Sequence, residues 1–80
     1  MRVRVAITRR PEIADPEGAT VKKALTDLGY NEVRTVRFDR SIILDLEEND
    51  ATRARDRAVE MCNRLLVNPV LEEYTVEVET

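Results

Sequence analysis

Apolar residues alternate with polar ones at both ends of this chain. Val3, Val5 and Ile7 are spaced by Arg4 and Ala6, and Tyr74, Val76 and Val78 by Thr75 and Glu77. A period of two sends alternate side chains to one face of an extended backbone, so each end is a strand with a single buried face. Between the two ends the period changes to that of a helix twice. Asp15 before Pro16 is an N-cap side chain followed by a residue whose fixed φ and missing N–H suit the first helical position. Val21, Ala24, Leu25 and Leu28 then fall at i, i+3, i+4 and i+7, and Gly29 supplies the left-handed residue that stops the helix. Lys22, Lys23 and Asp27 take the water side. Asn49 or Asp50 caps a second helix, in which Ala51, Ala54, Ala58, Met61, Cys62 and Leu65 recur at three- and four-residue intervals. Pro69 cannot continue it and biases Asn68 away from helical geometry, which ends the helix near Val67.

Two further β-rich runs, residues 33–38 and 41–47, are separated only by about Asp39-Arg40, and so short a link predicts an antiparallel hairpin. A two-residue turn sets Val36 and Phe38 on the side opposite Ile42, Leu44 and Leu46. One extra loop residue gathers all five, leaves Ile43 outward and is the preferred register. The order is therefore βαββαβ. Two interleaved right-handed βαβ crossovers predict an α+β fold, the ferredoxin-like plait: a four-stranded antiparallel sheet with both helices on one face. Its first and last strands are antiparallel neighbours, which places Arg2 and Arg4 across from Glu79 and Glu77 as an exposed charge ladder.

Length and composition bound what such a fold can do. Eighty residues, 1–80, are read as a single domain, and 42% apolar against 36% charged leaves a thin core that a partner subunit would complete. Thirteen basic and sixteen acidic residues give a net charge of −3, which repels nucleic acid and anionic membrane surfaces, so neither is an expected partner. There is no His, no Trp and one thiol, Cys62. Imidazole catalysis and a Cys/His metal cage are thereby excluded, and a lone Cys without an export segment points to the reducing cytoplasm. No apolar stretch approaches the roughly 18 residues of a membrane span.

This architecture hosts RNA readers, ligand sensors, small phosphatases and assembly subunits, so the side chains must decide. RNA readers stack bases on aromatic rings of the central strands, whereas Tyr30, Phe38 and Tyr74 are scattered among loop, hairpin and last strand. Arg9 and Arg10 at the end of the first strand suggest an acyl-phosphate site, but no glycine among residues 1–17 lets backbone wrap a phosphate. Cys62 lies on the apolar stripe without a base to activate it and reads as a buried small hydrophobe. Glu47-Glu48 and Glu72-Glu73 are adjacent carboxylates that diverge, with no third ligand for Mg²⁺. The inventory is catalytically empty.

The helix ends and loops, taken in order, resemble the PurS family, the small subunit of phosphoribosylformylglycinamidine (FGAM) synthase. The resemblance runs through Asp15-Pro16-Glu17-Gly18, Val21, Ala24-Leu25, Gly29-Tyr30-Asn31-Glu32-Val33, Val36-Arg37, Met61-Cys62, residues 65–70 and Glu72-Glu73-Tyr74. One departure is the turn: the family usually has Gly-Lys after the Val-Arg pair, where this chain has Phe38 and then Asp39-Arg40. Asp tolerates left-handed backbone and Arg40 keeps the charge, although Arg and Lys do not bind alike.

The resemblance implies a non-catalytic role in the fourth step of de novo purine synthesis. In that arrangement PurL holds the ATP-dependent amidation site with ATP and Mg²⁺, PurQ releases ammonia from glutamine, and PurS dimers bridge the two, so this chain carries no cofactor and no metal. A homo-oligomer, dimer or tetramer, is implied, built by pairing at the edge of the second or last strand. Arg37, Asp39 and Arg40 at the hairpin tip, with Ile43 and Tyr74 as outward residues, are the candidate partner interface. The alternative is an ACT-like ligand-sensing regulatory module, which would show a glycine-containing loop between the first strand and first helix; Gly18 falls inside the helix instead.

Overall fold

The structure, a computed structural model, describes residues 1–79. The alternating segments form β1 (Arg2–Arg9) and, at the other end of the chain, β3 (Glu72–Glu79), with α1 (Pro16–Asp27), β2 (Arg40–Asp45) and α2 (Ala51–Met61) between them. β1 is central in an antiparallel sheet of order β2-β1-β3. The register sets Arg2 opposite Glu79 and Arg4 opposite Glu77, as the alternation predicts. The guanidiniums both turn to Glu79, Arg2 at 3.0 Å and Arg4 at 3.2 Å. On so exposed a face these pairs contribute little to stability.

The other face is the core. Val3, Val5 and Ile7 of β1 are no more than 1% exposed, and Ala54, Ala58 and Cys62 are fully buried against them. Burying side chains the size of Val or Ile stabilises by about 1.5–3 kcal/mol each, and the two alanines allow α2 to approach the sheet closely enough to do so. Burial pushes the Cys62 thiol above its ordinary pKa, which makes it inert. After Met61 the helix widens into a π turn, Cys62–Leu66, in which Val67 N–H reaches Cys62 O at 3.1 Å. The chain then leaves before Asn68-Pro69.

Both helix starts follow the sequence. Asp15 accepts from the Gly18 N–H at 2.9 Å, and Asp50, rather than Asn49, accepts from Thr52 and Arg53 N–H. α1 ends in a paired motif, Gly29 N–H to Thr26 O and Tyr30 N–H to Leu25 O, with Gly29 at φ 101°.

The middle of the chain departs from expectation. Residues 33–39 form neither a strand nor half of a hairpin, and among the described residues the sheet has three strands rather than four. A two-residue hairpin turn wants positive φ at its centre and the preferred three-residue loop wants it at one position, and no non-glycine residue among those described adopts it, Asp39 and Arg40 included. Without such a turn the segment runs on into β2 and does not fold back against it. It carries α1 away from the sheet, so the second expectation, two helices on one face, is also corrected: α2 covers the sheet and no α1 residue joins the core. The radius of gyration is 16.2 Å, with extents of 49 × 26 × 14 Å. A compact chain of this length would have about 12 Å. α1 and residues 31–39 form a projecting arm.

Candidate subunit interface

The arm is held at its root by one carboxylate. Asp15 is buried, and besides capping α1 it accepts from the Phe38 N–H at 2.7 Å. The guanidinium of Arg9 stands 4.0 Å away. The two backbone bonds, from Phe38 first and Gly18 second, hold the Asp15 carboxyl below its ordinary pKa, with the nearby charges of Arg9 and Arg37 acting in the same sense and desolvation opposing them. Close by, Gly18 lies directly against the arm: a Cβ on it would stand 2.0 Å from Val36 O. Only glycine lets helix and extended segment meet there. It also means that this glycine, covered by backbone, has no room to cradle an amino acid, which removes the ligand-sensing alternative's main requirement.

Arg37 and Arg40 complete the root. Arg37 Nη2 donates to Arg10 O at 3.1 Å and Arg9 O at 3.4 Å, tying the arm to the end of β1. Arg40 Nη2 donates to Leu66 O at 3.2 Å and to the Glu72 carboxylate at 2.9 Å, tying the start of β2 to the π turn and β3. Neither sits at a hairpin tip, since there is none. They aim the arm, and with Asp39 between them they stay exposed. Ile43, 41% exposed and opposite Arg4, is outward as expected. Tyr74 is not: it pairs with Ile7 on the covered side of the sheet, and its hydroxyl donates to Asn63 Oδ1 at 3.0 Å. The alternation of β3 itself puts Tyr74 in phase with the buried Val76.

No reactive constellation assembles from these groups among the described residues. Arg9 donates to Ala14 O at 2.7 Å, and Arg10 to Pro69 O at 2.9 Å and to Glu73 at 3.1 Å, so both fasten loops rather than line a phosphate cradle. Glu48 accepts from the N–H groups of Asn49 and Asp50, and Glu72 from Asn68 and Arg40. A cleft of about 420 Å³ opens between the π turn and β3, beside Arg10, Cys62, Asn63 and Tyr74. Its thiol is buried and its tyrosine, asparagine and arginine are already hydrogen-bonded.

Apolar surface is what the molecule offers. Leu28 at the far end of α1 is 74% exposed, Tyr30 51% and Phe38 45%. On the sheet unit a groove of about 290 Å³ runs between β2 and the face of α2 and the π turn, walled by Leu44, Met61, Leu65 and Leu66 and by Arg57, Glu60 and Arg64. Leu65 is 84% exposed at its rim. The sequence shows the α1 stripe plainly, but reads it as core because a helix stripe carries no mark of whose sheet it will cover. Asp15 and Gly18 were visible only as helix-start residues; their contacts with the arm span about 20 residues and have no local signature.

The chain matches the family described as PurS, phosphoribosylformylglycinamidine (FGAM) synthase, over residues 2–80. The PurS subunit of Bacillus subtilis phosphoribosylformylglycinamidine synthase is 40% identical over 79 residues, covering 98% of this chain and 92% of the relative. Among solved structures, Methanocaldococcus jannaschii PurS, a subunit of formylglycinamide ribonucleotide amidotransferase, superposes with a TM-score of 0.87 at 36% identity, covering 98% of this chain and 94% of the other. A chain in the structure of PurLQS from Thermotoga maritima superposes at 0.81 with 33% identity and 96% coverage of both. Coverage of this extent includes the arm as well as the sheet.

Proposed function

This chain belongs to the PurS family, and from that premise we propose how its shape serves the complex. It is the non-catalytic small subunit of FGAM synthase in purine biosynthesis, associated with PurL and PurQ. Ammonia released from glutamine at one site must reach the amidation site, where FGAR becomes FGAM, before water protonates or removes it. Two active sites held in fixed register supply that, and holding them takes surfaces rather than reactive side chains. ATP and Mg²⁺ belong to the PurL partner, this chain binds no cofactor, and the complex works in the cytoplasm.

The observation that carries the reading is the arm: a helix stripe whose Ala24 and Leu28 are exposed, and a segment of strand-forming composition, residues 33–39, that meets the start of α1 but pairs with no strand among the described residues. Exposed β-rich backbone and an exposed apolar stripe are stable when another chain covers them. In our reading a second copy does so. Its arm pairs along the open edge of β2 and sets α1 into the groove between β2 and α2, and the ferredoxin-like plait, four strands with two helices on one face, is completed across the dimer. The dimer then offers its outer surfaces to PurL and PurQ.

The test is light scattering of the chain alone and mixed with PurL and PurQ. The wild-type chain is expected to form a homo-oligomer and a complex containing all three. Leu28→Asp is expected to weaken self-association about tenfold or more, the worth of one buried leucine. A wild-type monomer that joins the complex as a single copy would overturn the dimer reading.

A further inference from the structure

A subunit that associates through strands has two edges to settle, because β2 and β3 are both edge strands. The register shows which backbone groups face outward at each. Met1 and Leu46 exchange both bonds, Met1 N to Leu46 O at 2.6 Å and Leu46 N to Met1 O at 2.8 Å. Odd residues of β1 therefore point at β2 and even ones at β3, and Arg10 N–H to Leu71 O at 2.8 Å continues the second set. It follows that Ser41, Ile43 and Asp45 turn their peptide groups to the outer edge of β2, and Glu72, Tyr74, Val76 and Val78 theirs to the outer edge of β3.

The two edges are finished differently. At β2, among the described residues, no hydrogen bond occupies the three outward positions, and the extended arm runs directly into them. At β3 two of the four positions are engaged, Glu72 through its N–H, which donates to Asn68 O at 2.8 Å, and Val76 through its carbonyl. Arg55 reaches from α2 and its Nη1 donates to Val76 O at 2.8 Å, in a partly buried contact. An added strand needs that carbonyl for its own N–H, and would have to displace a guanidinium held at the edge by the helix above it. With Glu72 and Val76 engaged, Tyr74 and Val78 are isolated positions too few to seat a strand.

We infer that Arg55 closes the β3 edge, so that a second copy of this chain is accepted only at β2 and assembly stops at a closed unit. The inference rests on the self-association proposed above. Once two copies have exchanged arms along their β2 edges, an open β3 edge on each would let such units add to one another without closure, the geometry that makes filaments; with β3 closed, the reciprocal exchange ends at two copies.

Sedimentation of wild type, Arg55→Ala and Arg55→Lys over a wide concentration range tests this. Wild type and Arg55→Lys, which keeps a cationic donor, are expected to hold a constant mass. Arg55→Ala is expected to grow with concentration to at least about twice that mass, since each exposed β3 edge joins two closed units. If circular dichroism shows Arg55→Ala unfolded, Arg55→Gln takes its place with the same expectation. An alanine or glutamine variant whose mass matches wild type throughout overturns the inference, as does a lysine variant that grows equally. A monomeric wild type sinks the dimer reading alone: growth of Arg55→Ala from that monomer still supports the closed edge.

Discussion

Asp15 joins three pieces of chain through a single carboxylate: the start of α1, the arm at Phe38 and the end of β1 near Arg9. Because those bonds favour the ionised form, its folded pKa lies below the ordinary 3.8, and the unfolded chain takes up the proton first as pH falls. The stabilisation is therefore complete above pH 3.8 and is lost as pH drops through the lower, folded value. Amide resonances of Gly18 and Phe38 should move together along one titration curve in that acid window. In Asp15→Asn neither should titrate there, and resonances that titrate independently would show that the carboxylate does not couple helix to arm. Sequence made half of this legible. Asp-Pro announces a cap, since capping is settled within four residues, whereas the bond to Phe38 depends on where a distant segment runs.

Elements were legible wherever local chemistry decides them. Both helix starts, the Gly29 stop, the pairing of β1 with β3 and the burial of Cys62 follow from period, caps and breakers that act over a few residues. The fourth strand did not follow, because residues 33–38 carry a strand's composition but a strand also needs a neighbour. Whether that neighbour is β2 of the same chain or of another depends on the link at Asp39-Arg40. Replacing the link by Asn-Gly, which adopts the positive φ that a tight hairpin needs, should let the segment fold back on its own β2. Sedimentation of Asp39→Asn/Arg40→Gly is expected to show a larger monomer fraction than wild type at equal concentration. An unchanged monomer fraction would mean that the arm's direction is set by Arg37 and Asp15 and not by the turn. Misplacing Tyr74 has a simpler cause: an aromatic near a partner-rich segment suggests an interface, but its phase with Val76 already puts it inside.

At the scale of the molecule, an 80-residue chain with a thin sheet and a projecting arm has traded internal closure for contact with others. Its buried thiol is inert, most of its arginines are spent on backbone carbonyls and carboxylates, and its exposed leucines are the surface most in need of cover. Such a subunit matters only where two reactions must be joined. The direct test is FGAM formation by PurL and PurQ with this chain present or omitted, fed either with glutamine or with ammonia added outright. The account predicts that omission abolishes the glutamine-fed reaction, spares the ammonia-fed one, and that the chain alone converts nothing. Equal glutamine-fed rates with and without it, or turnover by the isolated chain, would contradict the claim that it supplies position and not chemistry.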